Sequence, residues 1–204
     1  MKRLVVLASG SGTNLQAVLD ASADGRLPAE VVHVIADRGE AYALVRAEAA
    51  GIPATHLPRH VDEARADYDA RLGDAVGDAE PDFVVLAGWM RILTMKFISR
   101  FPGRIVNLHP ALPGELPGTN SIARAWAEFE RGERSATGAM VHLVPDEGVD
   151  DGPVLATATV DIRPADTLDT LTKRVHATEH RLLVDTLAVL CTDRPPDSPM
   201  ELSQ

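Results

Sequence analysis

Apolar residues come in short uninterrupted runs along the first half of the chain, and each run but one gives way to a stretch with helical spacing. Leu4-Val5-Val6-Leu7-Ala8, Val31 to Ala36 and Asp82-Phe83-Val84-Val85-Leu86-Ala87 are such runs, and Arg104 to Leu108 is a fourth. A strand covered on both faces reads this way, because it has no polar side to show. Between the runs, Asn14 to Ala23 places Leu15, Val18 and Leu19 on one helical face. Ala41 to Ala50 is alanine-rich and stops at Gly51, and Tyr68 to Val76 belongs to a further helix. Later, Ile122 to Arg131 groups Ile122, Ala125, Trp126 and Phe129 on one face before Gly132. Thr137 to Val144 and Val154 to Ile162 are extended. Thr167 to Leu190 is a long amphipathic helix for which Asp166-Thr167 supplies the cap.

This alternation predicts an α/β fold: an open, mostly parallel twisted sheet with helices on both faces, Rossmann-like. Residues 1–191 are expected to form one catalytic domain, and the proline-rich tail 192–204, with Pro195, Pro196 and Pro199, a loose end. Ligands on such sheets bind at the carboxyl ends of the strands. The loops after the first, third and fourth runs should therefore converge on one cleft.

Charge narrows the partners. The 204 residues carry 30 acidic and 20 basic side chains, a net −10, which argues against nucleic acid or an anionic membrane as the main partner. A local phosphate site remains open, since backbone amides supply one without net positive charge. Cys191 is the single cysteine, which rules out an intrachain disulfide and suits a reducing compartment. The first apolar run ends at Ser9-Gly10-Ser11-Gly12, too early for a signal peptide or a spanning helix, so a cytoplasmic protein is expected.

Candidate chemistry gathers at the ends of the runs. In Asn107-Leu108-His109-Pro110, Asn107 and His109 are two apart and project to one side if the strand persists. An amide donor beside an imidazole can steady an oxyanion and move a proton near neutral pH. Ser9-Gly10-Ser11-Gly12-Thr13-Asn14 opens the first helix and suits a phosphate; its bland alternative is a turn with an asparagine cap. It lacks the lysine of a Walker loop, and Leu15 occupies the third glycine position of a dinucleotide fingerprint. Asp37 keeps a nicotinamide-dependent oxidoreductase as the alternative, although a solvated aspartate before Gly39 is the expected reading. Gly88-Trp89-Met90-Arg91-Ile92-Leu93 could clasp a flat heterocycle or simply pack in the core. Asp146-Glu147-Gly148-Val149-Asp150-Asp151-Gly152-Pro153 is a solvated turn or the source of an aspartate that orients His109. His176-Ala177-Thr178-Glu179-His180 matches the H-x-x-E-H zinc pattern, but no third ligand stands out, so no metal is expected. His56 and His60 are four apart, but Pro53 and Pro58 oppose a helix there. His33 and His142 sit in apolar strands and are expected to be packing residues.

In this order and spacing, the segments Ser9 to Ala17, Ala87 to Leu93, Asn107 to Pro110 and Val149 to Pro153 resemble the folate-dependent formyltransferase family, and within it the glycinamide ribonucleotide formyltransferases of purine synthesis. The likeness runs from about Lys2 to Leu190. It implies formyl transfer from 10-formyltetrahydrofolate, a co-substrate, to glycinamide ribonucleotide, by a monomer or homodimer that needs no metal. It implies Asn107, His109 and Asp150 as the catalytic trio, with Asp150 raising the imidazole pKa so that His109 stays charged. It places Gly12, Thr13, Asn14 and Glu179 on the ribonucleotide and Arg65, Met90, Arg91, Ile92, Leu93 and Asn107 on the folate. The backbone of Met140 to Glu147 should line the pterin pocket. The chain departs from the family pattern at Ala111-Leu112-Pro113-Gly114, at Asn120, where many members have histidine, and by one added residue ahead of Asp150. A related tRNA formyltransferase would need a C-terminal tRNA-binding domain, and a formyltetrahydrofolate hydrolase an N-terminal regulatory domain. Neither is expected here.

Overall fold

The computed structural model describes residues 1–192; the expectation about the tail falls, from residue 193 onward, outside the described residues. Five strands run parallel: β1 (Lys2–Ala8), β2 (Ala29–Ala36), β3 (Ala54–His56), β4 (Phe83–Leu86) and β5 (Ile105–His109). Two more, β6 (Ala136–Leu143) and β7 (Val154–Asp161), are added antiparallel at the β5 edge, giving the order β3-β2-β1-β4-β5-β6-β7. The sheet is therefore mostly parallel, as the alternation predicts.

The uninterrupted apolar runs are explained by two buried layers. Leu4, Val6 and Ala8 of β1 pack with α1 (Thr13–Ala23), α2 (Tyr42–Ala49) and α6 (Leu168–Cys191). Val5 and Leu7 point the other way, toward Tyr68, Leu72 and Val76 of α3 (Arg65–Gly77) and Phe97 and Ile98 of α4 (Met95–Ile98). A third cluster joins Ala125 of α5 (Ser121–Glu130) to Leu171 and Val175 of α6 and to Leu116 of the preceding loop. No described helix is long and apolar enough to cross a membrane.

Two elements have no counterpart in the sequence pattern. β3 is three residues, Ala-Thr-His, with no apolar run, and it exists because β2 offers it an edge. α4 is a single turn whose start is set from far away: the Asp69 carboxylate accepts the Thr94 N–H at 2.5 Å and Glu147 accepts the Met95 N–H at 2.9 Å. Those carboxylates act as caps drawn from other elements, so no local signal announces the helix.

Chain order runs outward from β1 through β2 to β3, then jumps back across β1 to β4. This reversal makes the carboxyl ends of β1 and β4 a topological switch point, where neighbouring loops diverge and leave a crevice. The long α6 that closes one side begins with a reciprocal cap. Thr167 accepts the Thr170 N–H at 3.2 Å, and Thr170 Oγ1 accepts the Thr167 N–H at 2.9 Å. Thr167→Ala should lower stability by about 1 kcal/mol, read as a lower denaturant midpoint; an unchanged midpoint would show that tertiary packing alone starts α6.

Candidate active site

The crevice is a cleft of about 860 Å³, walled by the Ser9–Asn14 loop, the loop after β4, the tip of β5 and the β6–β7 hairpin. The loops after β1, β4 and β5 thus meet as anticipated. Both Asn107 and His109 lie within β5, and both reach Asp150. Asp150 comes from the β6–β7 connection, some forty residues later. Its Oδ2 lies 3.2 Å from His109 Nδ1, and its Oδ1 accepts from Asn107 Nδ2 at 3.1 Å. Oδ2 also accepts the Gly118 N–H at 2.8 Å. Asp150 holds φ +55, a left-handed backbone that aspartate tolerates better than most residues. Two residues on, Gly152 packs so tightly on the Leu143 carbonyl that any Cβ would collide with it, which keeps the hairpin folded over β5.

His142 belongs to the same cluster, contrary to its expected role as a packing residue. Antiparallel pairing sets it directly opposite Asn107. Its Nδ1 donates to the Leu143 carbonyl at 2.9 Å, which leaves Nε2 to accept from Asn107 Nδ2 at 3.0 Å. Nε2 also lies 3.6 Å from Asp150 Oδ1. Strand composition alone could not reveal this; only the β5–β6 register does. His33 is half-buried and bonds Thr55 Oγ1 at 2.9 Å, as a packed histidine would.

His109 is 4% exposed. Its Nε2 donates to the Leu116 carbonyl at 3.1 Å, an oxygen that also accepts from Ser121 Oγ. Nδ1 is therefore the nitrogen left to face Asp150. The expected elevation of the imidazole pKa does not hold. Burial pulls it below the ordinary histidine value, and the Asp150 charge and Leu116 carbonyl only partly oppose this. For Asp150, burial works to raise the carboxyl pKa, but the His142 imidazole, the Gly118 N–H and His109 outweigh it and hold it below the usual range.

At the other end of the cleft, Gly12 precedes α1 with φ +68, and a Cβ there would come within 2.7 Å of the Ala43 backbone. Glycine is thus required both by conformation and by the approach of α2. The helix cap is Gly12, not Asn14. The Asn14 Oδ1 is buried without a partner inside the described residues. Facing it from α6 is Glu179, 5% exposed, whose carboxyl is pushed up to about 7 by burial, with Asn14 working in the opposite direction. His176 lies with its Nε2 3.8 Å from Glu179. The H-x-x-E-H segment thus turns His176 and Glu179 toward the glycine loop, and both line the cleft.

The loop after β4 contributes Met90, Arg91, Ile92 and Leu93 to the wall. Met90 and Ile92 are half exposed, while Leu93 and Trp89 are buried in the α3–α4 layer. Arg65 stands apart from the lining, paired with Glu147 at 3.4 Å across exposed surface. Asp37 departs from its reading as a solvated turn residue. It is 6% exposed and accepts from Arg91 Nε at 2.7 Å. That bond takes Oδ2 of the carboxylate on which the nicotinamide alternative relied, while Oδ1 is buried without a hydrogen-bond partner among the described residues.

The family model described as Formyl transferase matches residues 2–187. The phosphoribosylglycinamide formyltransferase of Schizosaccharomyces pombe is 41% identical over 202 residues, covering 93% of this chain and 97% of that protein. The Mycobacterium tuberculosis protein of the same name is 45% identical over 190 residues, covering 93% of this chain and 85% of its own. Among solved structures, glycinamide ribonucleotide transformylase 1 from Symbiobacterium toebii aligns with a TM-score of 0.88 at 39% identity, over 95% of this chain and 89% of that one.

The buried Glu179 carboxyl has a measurable consequence. Burial pushes its pKa up to about 7 in the folded state from the ordinary glutamate value of 4.5, so the folded protein holds this proton more tightly than the unfolded chain. Stability from this group is full below about pH 4.5 and falls as pH rises through 7, by about 3 kcal/mol at 1.4 kcal/mol per unit. Glu179→Gln removes the titration. The variant should melt near the parent at pH 5 and above it at pH 8; parallel pH profiles of the two melting temperatures would overturn this.

Proposed function

The chain belongs to the formyl transferase family, and on that premise we propose that it moves the formyl group of 10-formyltetrahydrofolate onto the amine of glycinamide ribonucleotide, as a phosphoribosylglycinamide formyltransferase of de novo purine synthesis. The observation that carries the reading is the meeting of Asn107, His109 and Asp150 at the tip of β5, on the floor of a cleft with two differently furnished ends.

At one end, the first-turn N–H groups of α1 have no intrahelical partners and suit the substrate's phosphate. Gly12, Thr13 and Asn14 hold that phosphate, and Glu179 reaches the ribose hydroxyls. At the other end, the half-exposed Met90 and Ile92, with Leu93 behind them, receive the flat pterin. Arg91 supports that wall, and Arg65 at the rim meets the folate's acidic tail. The two substrates then present amine and formyl carbon to each other above Asp150.

The amine nitrogen bonds to the formyl carbon, and the carbonyl electron pair moves onto oxygen. The ammonium that results sheds a proton. With the Nε2 hydrogen given to Leu116, Nδ1 and the Asp150 carboxylate offer two acceptors across a 3.2 Å gap, and that proton fits between them. In the free enzyme both Nδ2 hydrogens of Asn107 are engaged, one by His142 and one by Asp150. Neutralising Asp150 weakens its hold, and the freed N–H turns to the oxyanion. Collapse of the intermediate breaks the bond from the formyl carbon to the folate nitrogen. That nitrogen takes the proton from His109, leaving tetrahydrofolate.

His109→Ala and Asp150→Asn should each reduce turnover by about 10²- to 10⁴-fold while both substrates still bind. Asn107→Ala should lose about 10²- to 10³-fold. Mass spectrometry of a reaction with glycinamide ribonucleotide and 10-formyltetrahydrofolate reads the formylated product directly. Folate deformylation without any ribonucleotide present would point to a hydrolase and overturn the assignment.

A further inference from the structure

The buried Asp37, paired with Arg91, is the strongest feature that the proposed reaction leaves without a role. The two side chains come from opposite sides of the switch point. Asp37 follows β2, and Arg91 lies in the loop after β4. The Asp37 side chain is 2% exposed and that of Arg91 33%. Besides its 2.7 Å bond to Asp37, the guanidinium lies 5.3 Å from the centre of the Tyr68 ring. Tyr68 is itself fixed, 1% exposed, with its hydroxyl donating to the Leu57 carbonyl at 3.0 Å. A charge drawn this far from water is held only against a close partner.

The pair acts on a segment already fastened at both ends. Near its start, Ser9 N–H donates to the Gly88 carbonyl at 3.0 Å, and Met90 N–H donates to Ser9 Oγ at 2.9 Å. At its end, Thr94 N–H is held by Asp69. Between these points Arg91 supplies the side-chain anchor. Drawing its guanidinium back onto Asp37 leaves its neighbours Met90 and Ile92, 54% and 49% exposed, facing outward. Which side of this loop meets a ligand therefore depends on where Arg91 is tied.

We propose that Asp37 is a positioning residue for the folate half of the site: by pinning Arg91 it holds residues 88–93 in the form that receives the pterin, without touching either substrate. The proposal rests on the formyl-transfer reading for the identity of the ligand. The mechanical part, that Asp37 orders this loop, stands independently of it.

The test uses the full chain with Asp37→Ala, the milder Asp37→Asn, Arg91→Met and the double variant Asp37→Ala/Arg91→Met. Hydrogen exchange should quicken in the 88–94 amides of Asp37→Ala and stay unchanged in the 12–14 amides at the start of α1. The KM for 10-formyltetrahydrofolate should rise about tenfold, with the KM for glycinamide ribonucleotide and kcat within about threefold. Asp37→Asn should fall between parent and Asp37→Ala. Adding Asp37→Ala to Arg91→Met should change the folate KM no further, because the first residue acts through the second. Unchanged exchange in 88–94 would overturn the proposal whatever the reaction, and so would effects that multiply in the double variant. A rise in both KM values together with a general gain in exchange would mark Asp37 as a stability residue only. If the parent protein neither forms formylated product nor binds tetrahydrofolate, the formyl-transfer reading and the folate role of Asp37 fall together. Exchange alone then decides whether Asp37 orders the loop.

Discussion

A single carboxylate, that of Asp150, faces nitrogens from Asn107, His109, His142 and Gly118 within 3.6 Å, and the site is built around it. A charge this enclosed needs donors, and in the free enzyme these are the Asn107 amide and the Gly118 N–H, while the facing nitrogens of His109 and His142 present lone pairs. That requirement ties together three parts of the chain: the tip of β5, the strand β6 beside it, and the loop that runs into α5. The Leu116 carbonyl completes the arrangement by occupying the far nitrogen of His109. One backbone oxygen thereby decides which imidazole nitrogen is left for chemistry. Leu116 itself adopts a positive φ and is buried against α5 and α6, so packing well away from the cleft supports that choice.

The electrostatics of the cleft follow from burial more than from net charge. The chain is strongly acidic, yet an anionic substrate is the proposed ligand. Glu179, which faces the glycine loop, has its carboxyl pushed up to about 7 by burial, so near neutral pH it carries only part of its charge. The amides at the start of α1 then meet phosphate with less opposition than the formal charges suggest. At the end proposed for the folate the same economy appears in another form. Arg91 is tied to Asp37, so that wall presents apolar side chains instead of a free cation. The two ends of the cleft thus differ in character although both lie on the carboxyl edge of one sheet.

Much of this was written locally. The doubly covered strands were legible from uninterrupted apolar runs, the cleft from the alternation of strands and helices, and the Asn107–His109 pair from its two-residue spacing at a strand end. Asp150 was visible only as one of several carboxylates in a turn-rich segment. Nothing local separates it from Asp146, which accepts the Gly148 N–H, or Glu147, which caps α4. The resemblance to known formyltransferases singled it out, and the hairpin geometry gave the physical reason.

The amino-acid sequence by itself determined the periodicities, the turn positions and the residue types available for chemistry, because these depend on neighbours a few positions apart. Tertiary structure decided which distant groups share a dielectric boundary. It moved His142 from a strand interior into the candidate site through β5–β6 register, and turned Asp37 from a surface aspartate into a buried partner of Arg91. It also reversed the expected shift of His109, since desolvation depends on what surrounds a group in space and a nearby carboxylate cannot fully offset it.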